Sequence, residues 1–150
     1  MPPQEQAFEV PTITLTGSIL ASVHEHGGVV PATVIRAGTP WAVNVNWSLQ
    51  GSPLVAGTWH VHVNLESYGP GPELSLFDLI DPACQSQTFP NASGTYFCHF
   101  DVPANTVDPT QIPHQGLPMK LIVVLTALDT LGNPAPIAAF FEGPILMFYP

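Results

Sequence analysis

His60 and His62 form a His-x-His within a stretch that alternates strictly between apolar and polar residues. Two imidazoles at i and i+2 of a strand stand on one face, about 6–7 Å apart. That is within reach of a single divalent metal. Zinc takes four ligands, mostly nitrogen or sulfur, so further donors must come from elsewhere. His24-Glu25-His26 and His99 have suitable chemistry. The plain alternative makes His60 and His62 solvated positions on a wet strand face, with no cofactor. Acids also gather near turn signals: Asp78 and Asp81, Asp101, Asp108, and Asp129 with Asn133. Calcium takes six to eight oxygens, often from loops, but no run here has the dense Asp-x-Asp spacing of a dedicated calcium loop.

Other chemistry is sparse. The chain has no Gly-x-Ser-x-Gly, phosphate loop, dinucleotide turn or His-Glu-x-x-His. It is therefore read as non-enzymatic. Cys84 and Cys98 are the two cysteines, separated by a stretch whose Pro90, Asn91 and Gly94 mark a turn. A disulfide between them would staple a local loop and add about 3 kcal/mol in the chain-entropy model; the alternative is a pair of buried thiols in a reducing compartment. Asn91-Ala92-Ser93 fits the N-glycosylation pattern in a turn, and Asn46-Trp47-Ser48 fits it within a strand.

The alternation that carries the histidines has a counterpart. Trp41, Val43, Val45, Trp47 and Leu49 are apolar, with Asn44, Asn46, Ser48 and Gln50 between them. Trp59, Val61, Val63 and Leu65 are apolar, with His60, His62, Asn64 and Glu66 between them. Period two means a strand with one buried and one wet face. Gly51, Ser52, Pro53 and Gly57 supply a turn, so the two stretches are expected to pair as an antiparallel hairpin. His60 would then lie opposite Ser48 and His62 opposite Asn46. The resulting outer face, Asn44, Asn46, Ser48, His60, His62, Asn64 and Glu66, would be a nearly uncharged hydrogen-bonding surface for a glycan or a protein.

Elsewhere Thr12 to Leu20 alternates as a strand, and Val23 to Gly28 reads as a loop. Val29 to Ile35 is a weaker strand that Pro31 confines to an edge. Leu74 to Ile80 is a short strand or one helical turn. In Thr95 to Val102, Tyr96, Cys98, Phe100 and Val102 point in while Phe97, His99 and Asp101 point out. Pro103 to Pro118 is a proline-rich connection. Met119 to Leu128 is a strand apolar on both faces except for Lys120 and Thr126, and Ile137 to Phe148 makes one or two further strands with apolar residues on both faces, interrupted by Gly143-Pro144. Residues 1–10 read as an arm and residues 11–150 as one domain. The 18 prolines and 12 glycines punctuate short apolar runs, which suits an all-β, antiparallel sandwich of about seven to nine strands.

Trp47 on a central strand, followed later by Tyr96-Phe97-Cys98, resembles the core tryptophan and Tyr-x-Cys corner of immunoglobulin-like modules. Gly57-Thr58-Trp59 to Leu65 resembles strands of immunoglobulin-like and fibronectin-like modules. The resemblance implies an immunoglobulin-like sandwich. Both cysteines follow Trp47, whereas the family's inter-sheet disulfide begins before its tryptophan.

Eleven acids face only Arg36 and Lys120, for a net charge of −9. Duplex binding relies on cations that neutralise phosphates, so a nucleic-acid partner is excluded from the reading, and no apolar stretch reaches the ~20 residues of a membrane-spanning helix. Met1-Pro2-Pro3-Gln4-Glu5 shows no export signal, so either the protein is not exported by that route or this is a mature chain restarted at a methionine; an extracellular or surface assembly is the favoured expectation. A strand that is apolar on both faces needs cover from another element or subunit. Self-association is thus the leading expectation, through Phe8 and Val10 of the arm and Ile122, Val124, Phe141 and Phe148 of the C-terminal strands. An extracellular glycan- or protein-binding module and a metal-binding domain are the alternatives.

Overall fold

The structure, a computed structural model, describes residues 5–7, 15–28, 30–51, 56–68, 73–89 and 94–150. The strands are β1 (Gln6–Ala7), β2 (Leu15–Glu25), β3 (Val34–Arg36), β4 (Trp41–Gly51), β5 (Gly57–Ser67), β6 (Glu73–Ser75), β7 (Ser86–Phe89), β8 (Gly94–Val102), β9 (Leu117–Asp129) and β10 (Pro134–Tyr149). A 3-10 turn at Phe77–Leu79 and the short helix α1 (Pro82–Gln85) lie between β6 and β7. The strands form two sheets. One has four strands in the order β1-β2-β4-β8; the other has six, ordered β3-β10-β9-β5-β6, with β7 also on β5. The all-β sandwich expected from the alternations is therefore present, with ten strands among the described residues rather than seven to nine, and with one parallel pair, β3 and β10, in place of a wholly antiparallel arrangement.

The core lies between the sheets. Trp41, Val43, Val45, Trp47 and Leu49 of β4 are at most 1% exposed, and Trp59, Val61, Val63 and Leu65 of β5 are fully buried opposite them. Trp47 meets Trp59 edge-on at 6.3 Å between ring centres and stacks on Tyr96 at 5.8 Å. Such aromatic pairs add roughly 0.5–1.5 kcal/mol beyond their burial. Between β9 and β5, Gly57 leaves no room for a side chain: a Cβ there would lie 2.1 Å from the Leu128 carbonyl oxygen.

Several expectations change. Trp41–Gly51 and Gly57–Ser67 do not form a hairpin. The first pairs with β2 and β8, the second with β9, β6 and β7. Period two reports which face is buried, not which strand lies alongside, and here the two buried faces meet across the core. His60 lies opposite Thr126 and Ser86, and His62 opposite Val124. Asn46 lies between Leu20 and Phe97, and Ser48 between Ser18 and Thr95. β2 continues through Glu25, past the loop expected from Val23, because Ala21 and Val23 extend the inward series of Ile19. The strand after Pro31 begins only at Val34 and is an edge, parallel to β10. Residues 74–80 are both alternatives at once, the end of a short strand and a 3-10 turn.

The C-terminal run is a single strand with a register shift between Glu142 and Ile145. This bulge at Gly143-Pro144 flips the parity, so Ala139 and Phe141 before it and Leu146 and Phe148 after it all face the core. Its outer edge also receives the arm. The Gln6 side-chain amide donates to the Glu142 carbonyl at 3.2 Å and accepts from the Glu142 N–H at 3.4 Å. Cys84 at the end of α1 and Cys98 on β8 form a disulfide. Among the described residues no helix is long and apolar enough to cross a membrane.

Candidate functional site

The seven polar residues expected on one face fall on opposite sides of the molecule. Asn44, Asn46 and Ser48 lie on the outer face of the four-stranded sheet; His60, His62, Asn64 and Glu66 lie on the outer face of the six-stranded sheet. A single recognition surface made of all seven does not exist. The cause is the missing hairpin, since strands from opposed sheets turn their wet faces away from each other.

On the six-stranded face, His60 and His62 do share a side. His60 Nδ1 is 3.3 Å from Ser86 Oγ, and the His62 ring stacks on Phe77 at 4.7 Å with 13° between planes. His99 on β8 and His24 on β2 both belong to the other sheet, so neither completes a set with them. Among the described residues no group of three or more His, Cys, Asp or Glu side chains is placed to hold a metal. Three of the acids weighed for calcium, Asp81, Asp108 and Asp129, are engaged in local turns, while Asp101 stands on β8 beside His99. Asp81 accepts from the Ala83 N–H, Asp108 from the Thr110 N–H and hydroxyl, and Asp129 from the Leu131 and Asn133 N–H groups. These are capping contacts of the kind that orders turns, and the two bonds from Thr110 hold the Asp108 carboxyl below its usual range.

What does assemble on the six-stranded face is apolar. By alternation Val34, Phe140, Ile145, Ile122 and Val124 all point outward there. Val34 is 55% exposed, Phe140 48% and Ile145 51%, while Val124 is half-buried and Ile122 buried between its neighbours. Val124 stands between His62 and Phe140, and Ile122 between Asn64 and Glu142. Both cations of the chain belong to the same face. Arg36 is exposed on β3, and Lys120 pairs with Glu142 while lying over the Tyr68 ring at 5.1 Å. The Glu142 contact, with a smaller contribution from Tyr68, raises the Lys120 ammonium above its ordinary range.

Of the residues proposed as contacts, Ile122 and Val124 are on this face. Phe141 and Phe148 are not: they are 1% and 0% exposed inside the core. A strand apolar on both sides offers no contrast to tell its faces apart, and the bulge reverses the count midway. Phe8 and Val10, and the Asn91-Ala92-Ser93 sequon, lie outside the described residues. The other sequon has Trp47 buried at its centre. Phe140, Ile145 and Val34 carry no motif in the sequence; knowledge of the bulge is what would have pointed to them.

The four-stranded face is of a different kind. Rows of residues cross it: Leu20, Asn46 and Phe97, then Ser22, Asn44 and His99. His99 Nδ1 donates to the Asn44 amide oxygen, and His99 Nε2 lies 3.5 Å from Asp101 Oδ1. Ser22 Oγ bonds His24 Nε2 at 2.7 Å.

No protein-family model matches the chain, and no curated protein matches it. Among solved structures it is similar to a β-glucosidase, EmGH1, from Erythrobacter marinus, with a TM-score of 0.40 and 8% identity over 97% of this chain and 15% of that one. It is also similar to a β-glucosidase from Listeria innocua in complex with glucose, with a TM-score of 0.37 and 8% identity over 89% of this chain and 16% of that one. The chain thus spans about a sixth of the length of these enzymes, and likenesses this slight carry no argument about what it does.

Proposed function

We propose that the chain is an immunoglobulin-like sandwich that works by self-association, as a non-enzymatic assembly subunit. The strand order supports the architectural part. That family sets its A, B and E strands against C, F and G; here β2, β4 and β8 oppose β5, β9 and β10. On this assignment the family's core tryptophan is Trp59 on the third main strand rather than Trp47. Tyr96 and Cys98 fall on the fifth strand rather than the sixth, so the local staple from Cys84 replaces the inter-sheet bridge.

One observation carries the functional part: the outer face of the six-stranded sheet combines exposed Val34, Phe140 and Ile145 with both of the chain's cations. Exposed apolar surface edged by a rim of polar groups marks association sites, and here the Lys120–Glu142 pair stands between Phe140 and Ile145. His62, Asn64 and Glu66 on β5 provide that rim. In a chain of net charge −9, two copies repel each other least where Arg36 and Lys120 offset the acids. The arm adds to the same edge through the hold of Gln6 on Glu142.

Sedimentation velocity from micromolar to hundreds of micromolar protein tests the reading. Wild type is expected to form a defined oligomer, and the double variant Phe140→Asp, Ile145→Asp to remain monomeric with an unchanged melting temperature. A wild-type monomer throughout the range would refute it.

A further inference from the structure

The other sheet face differs from the association surface in every respect that decides a partner. Its strands present Ser18, Ser48, Thr95, Asn44 and Asn46 as hydroxyls and amides, with two carboxylates beside them, Asp101 and Glu5, the latter accepting from Ser18 at 3.3 Å. Phe97 stands among them, 54% exposed. We propose that this face binds a neutral oligosaccharide, with Phe97 as the stacking platform and Asn46, Asn44, His99 and Asp101 as hydrogen-bonding partners.

The chemistry of the two surfaces matches. A pyranose has C–H groups on its faces and hydroxyls around its rim. The electron-rich face of a phenyl ring attracts such polarised C–H edges. Carboxamides donate and accept at once, as a hydroxyl does, and Asn46 is exposed beside Phe97 in the same row. The next row lies about 7 Å away along the strand and is already arranged. His99 is held from one side by Asn44 and approached from the other by Asp101. Its ring lies within 10° of parallel to that of Phe97, at 6.4 Å. Side chains fixed by a sheet register and by each other lose little freedom on binding.

Charge selects among sugars and against other partners. No lysine or arginine lies on β2, β4 or β8, so a sulfated, phosphorylated or uronic acid chain would meet a molecule of net charge −9 with nothing to neutralise it. A basic peptide would seek clustered carboxylates, and here the two stand at opposite edges of the sheet, Glu5 bonded to Ser18 and Asp101 beside His99. A neutral chain with alternating apolar faces and hydroxyls fits what remains. This inference does not depend on the association reading, because the two surfaces are on opposite sheets.

The test is an NMR titration of the 15N-labelled, disulfide-intact chain with cellohexaose, maltohexaose, xylohexaose and mannohexaose in turn, up to millimolar concentrations. At least one is expected to shift the Asn44 and Asn46 side-chain amides and the Phe97 and His99 signals saturably, leaving those of Phe140 and Ile145 in place. Phe97→Ala should weaken that binding about tenfold or more, the loss expected when most of a phenyl contact is removed, while Phe97→Trp preserves it. Because Phe97 is outward-facing, both variants should melt like wild type. No saturable shift with any of the four sugars, shifts confined to another surface, or undiminished binding by Phe97→Ala would each overturn the proposal. So would binding of an oligolysine peptide to this face with no response to the sugars.

Discussion

At the scale of single residues, Gly57 shows how tightly the centre of the larger sheet is built. Its neighbours β7 and β9 close on it from both sides, and the atom a Cβ would meet is a main-chain oxygen, which cannot swing away as a side chain would. Gly57→Ala is therefore expected to lower stability by about 1–3 kcal/mol, as overpacking does, measured as a shift of the urea midpoint. An unchanged midpoint would show that the strands separate more easily than this geometry implies. Nothing in the sequence singles out this glycine, because its constraint comes from strands 30 and 70 residues further on. The burial of Trp47, Trp59 and Cys98 was legible, since each sits in a run of strict alternation. Phe97 was legible as an outward residue by the same rule. The roles of Asp81, Asp108 and Asp129 were not: an acid near a turn reads equally well as a metal ligand or as a cap, and only the positions of the following N–H groups decide.

At the scale of elements, the staple between Cys84 and Cys98 joins α1 to β8 across 14 residues. The segment between them includes β7, which pairs with β5 at the edge of the opposite sheet. The bond thus limits how far that edge can part from β8. Replacing both cysteines by alanine should cost about 3 kcal/mol of unfolding free energy, read from denaturant curves of the oxidised wild type and the variant. Equal curves would mean that the segment is held by packing alone. The strands themselves were largely legible and their partners were not. Trp41–Gly51 and Gly57–Ser67 are consecutive, alternate alike and are joined by turn residues, the usual description of a hairpin, yet the chain between them passes from one sheet to the other. Local polarity has no term for that choice. It is settled by β2 and β8, and by β9, competing for the same edges with longer ladders.

At the scale of the whole molecule, charge and apolar surface are sorted by side. The outer face of the six-stranded sheet gathers both cations, while the four-stranded face has no lysine or arginine on β2, β4 or β8 and carries the carboxylates of Asp101 and Glu5. Two chains of net charge −9 approaching each other still repel at long range, even when their contacting faces are nearly neutral. Raising sodium chloride from about 10 to about 150 mM shortens the screening length from ~30 to ~8 Å. The weight-average mass at fixed protein concentration should therefore rise over that interval, as followed by light scattering. A fall would mean that ion pairs, not apolar contact, dominate the encounter. This sorting was half legible: composition alone reveals that cations are scarce, but only the fold shows that Arg36 on an edge strand and Lys120 on a central strand belong to one face.

The hold of Gln6 on Glu142 gives this molecule a latch. Among the described residues, β3 pairs with β10 only from Met147 to Tyr149, and the main chain of Glu142 is held by one side-chain amide. A ladder opens only by breaking many main-chain bonds together, whereas a latch of this kind opens by the turn of a single side chain, on the fast timescale of surface rotamers. Main-chain bonding at this margin of the larger sheet is in this sense gated by one rotamer of Gln6.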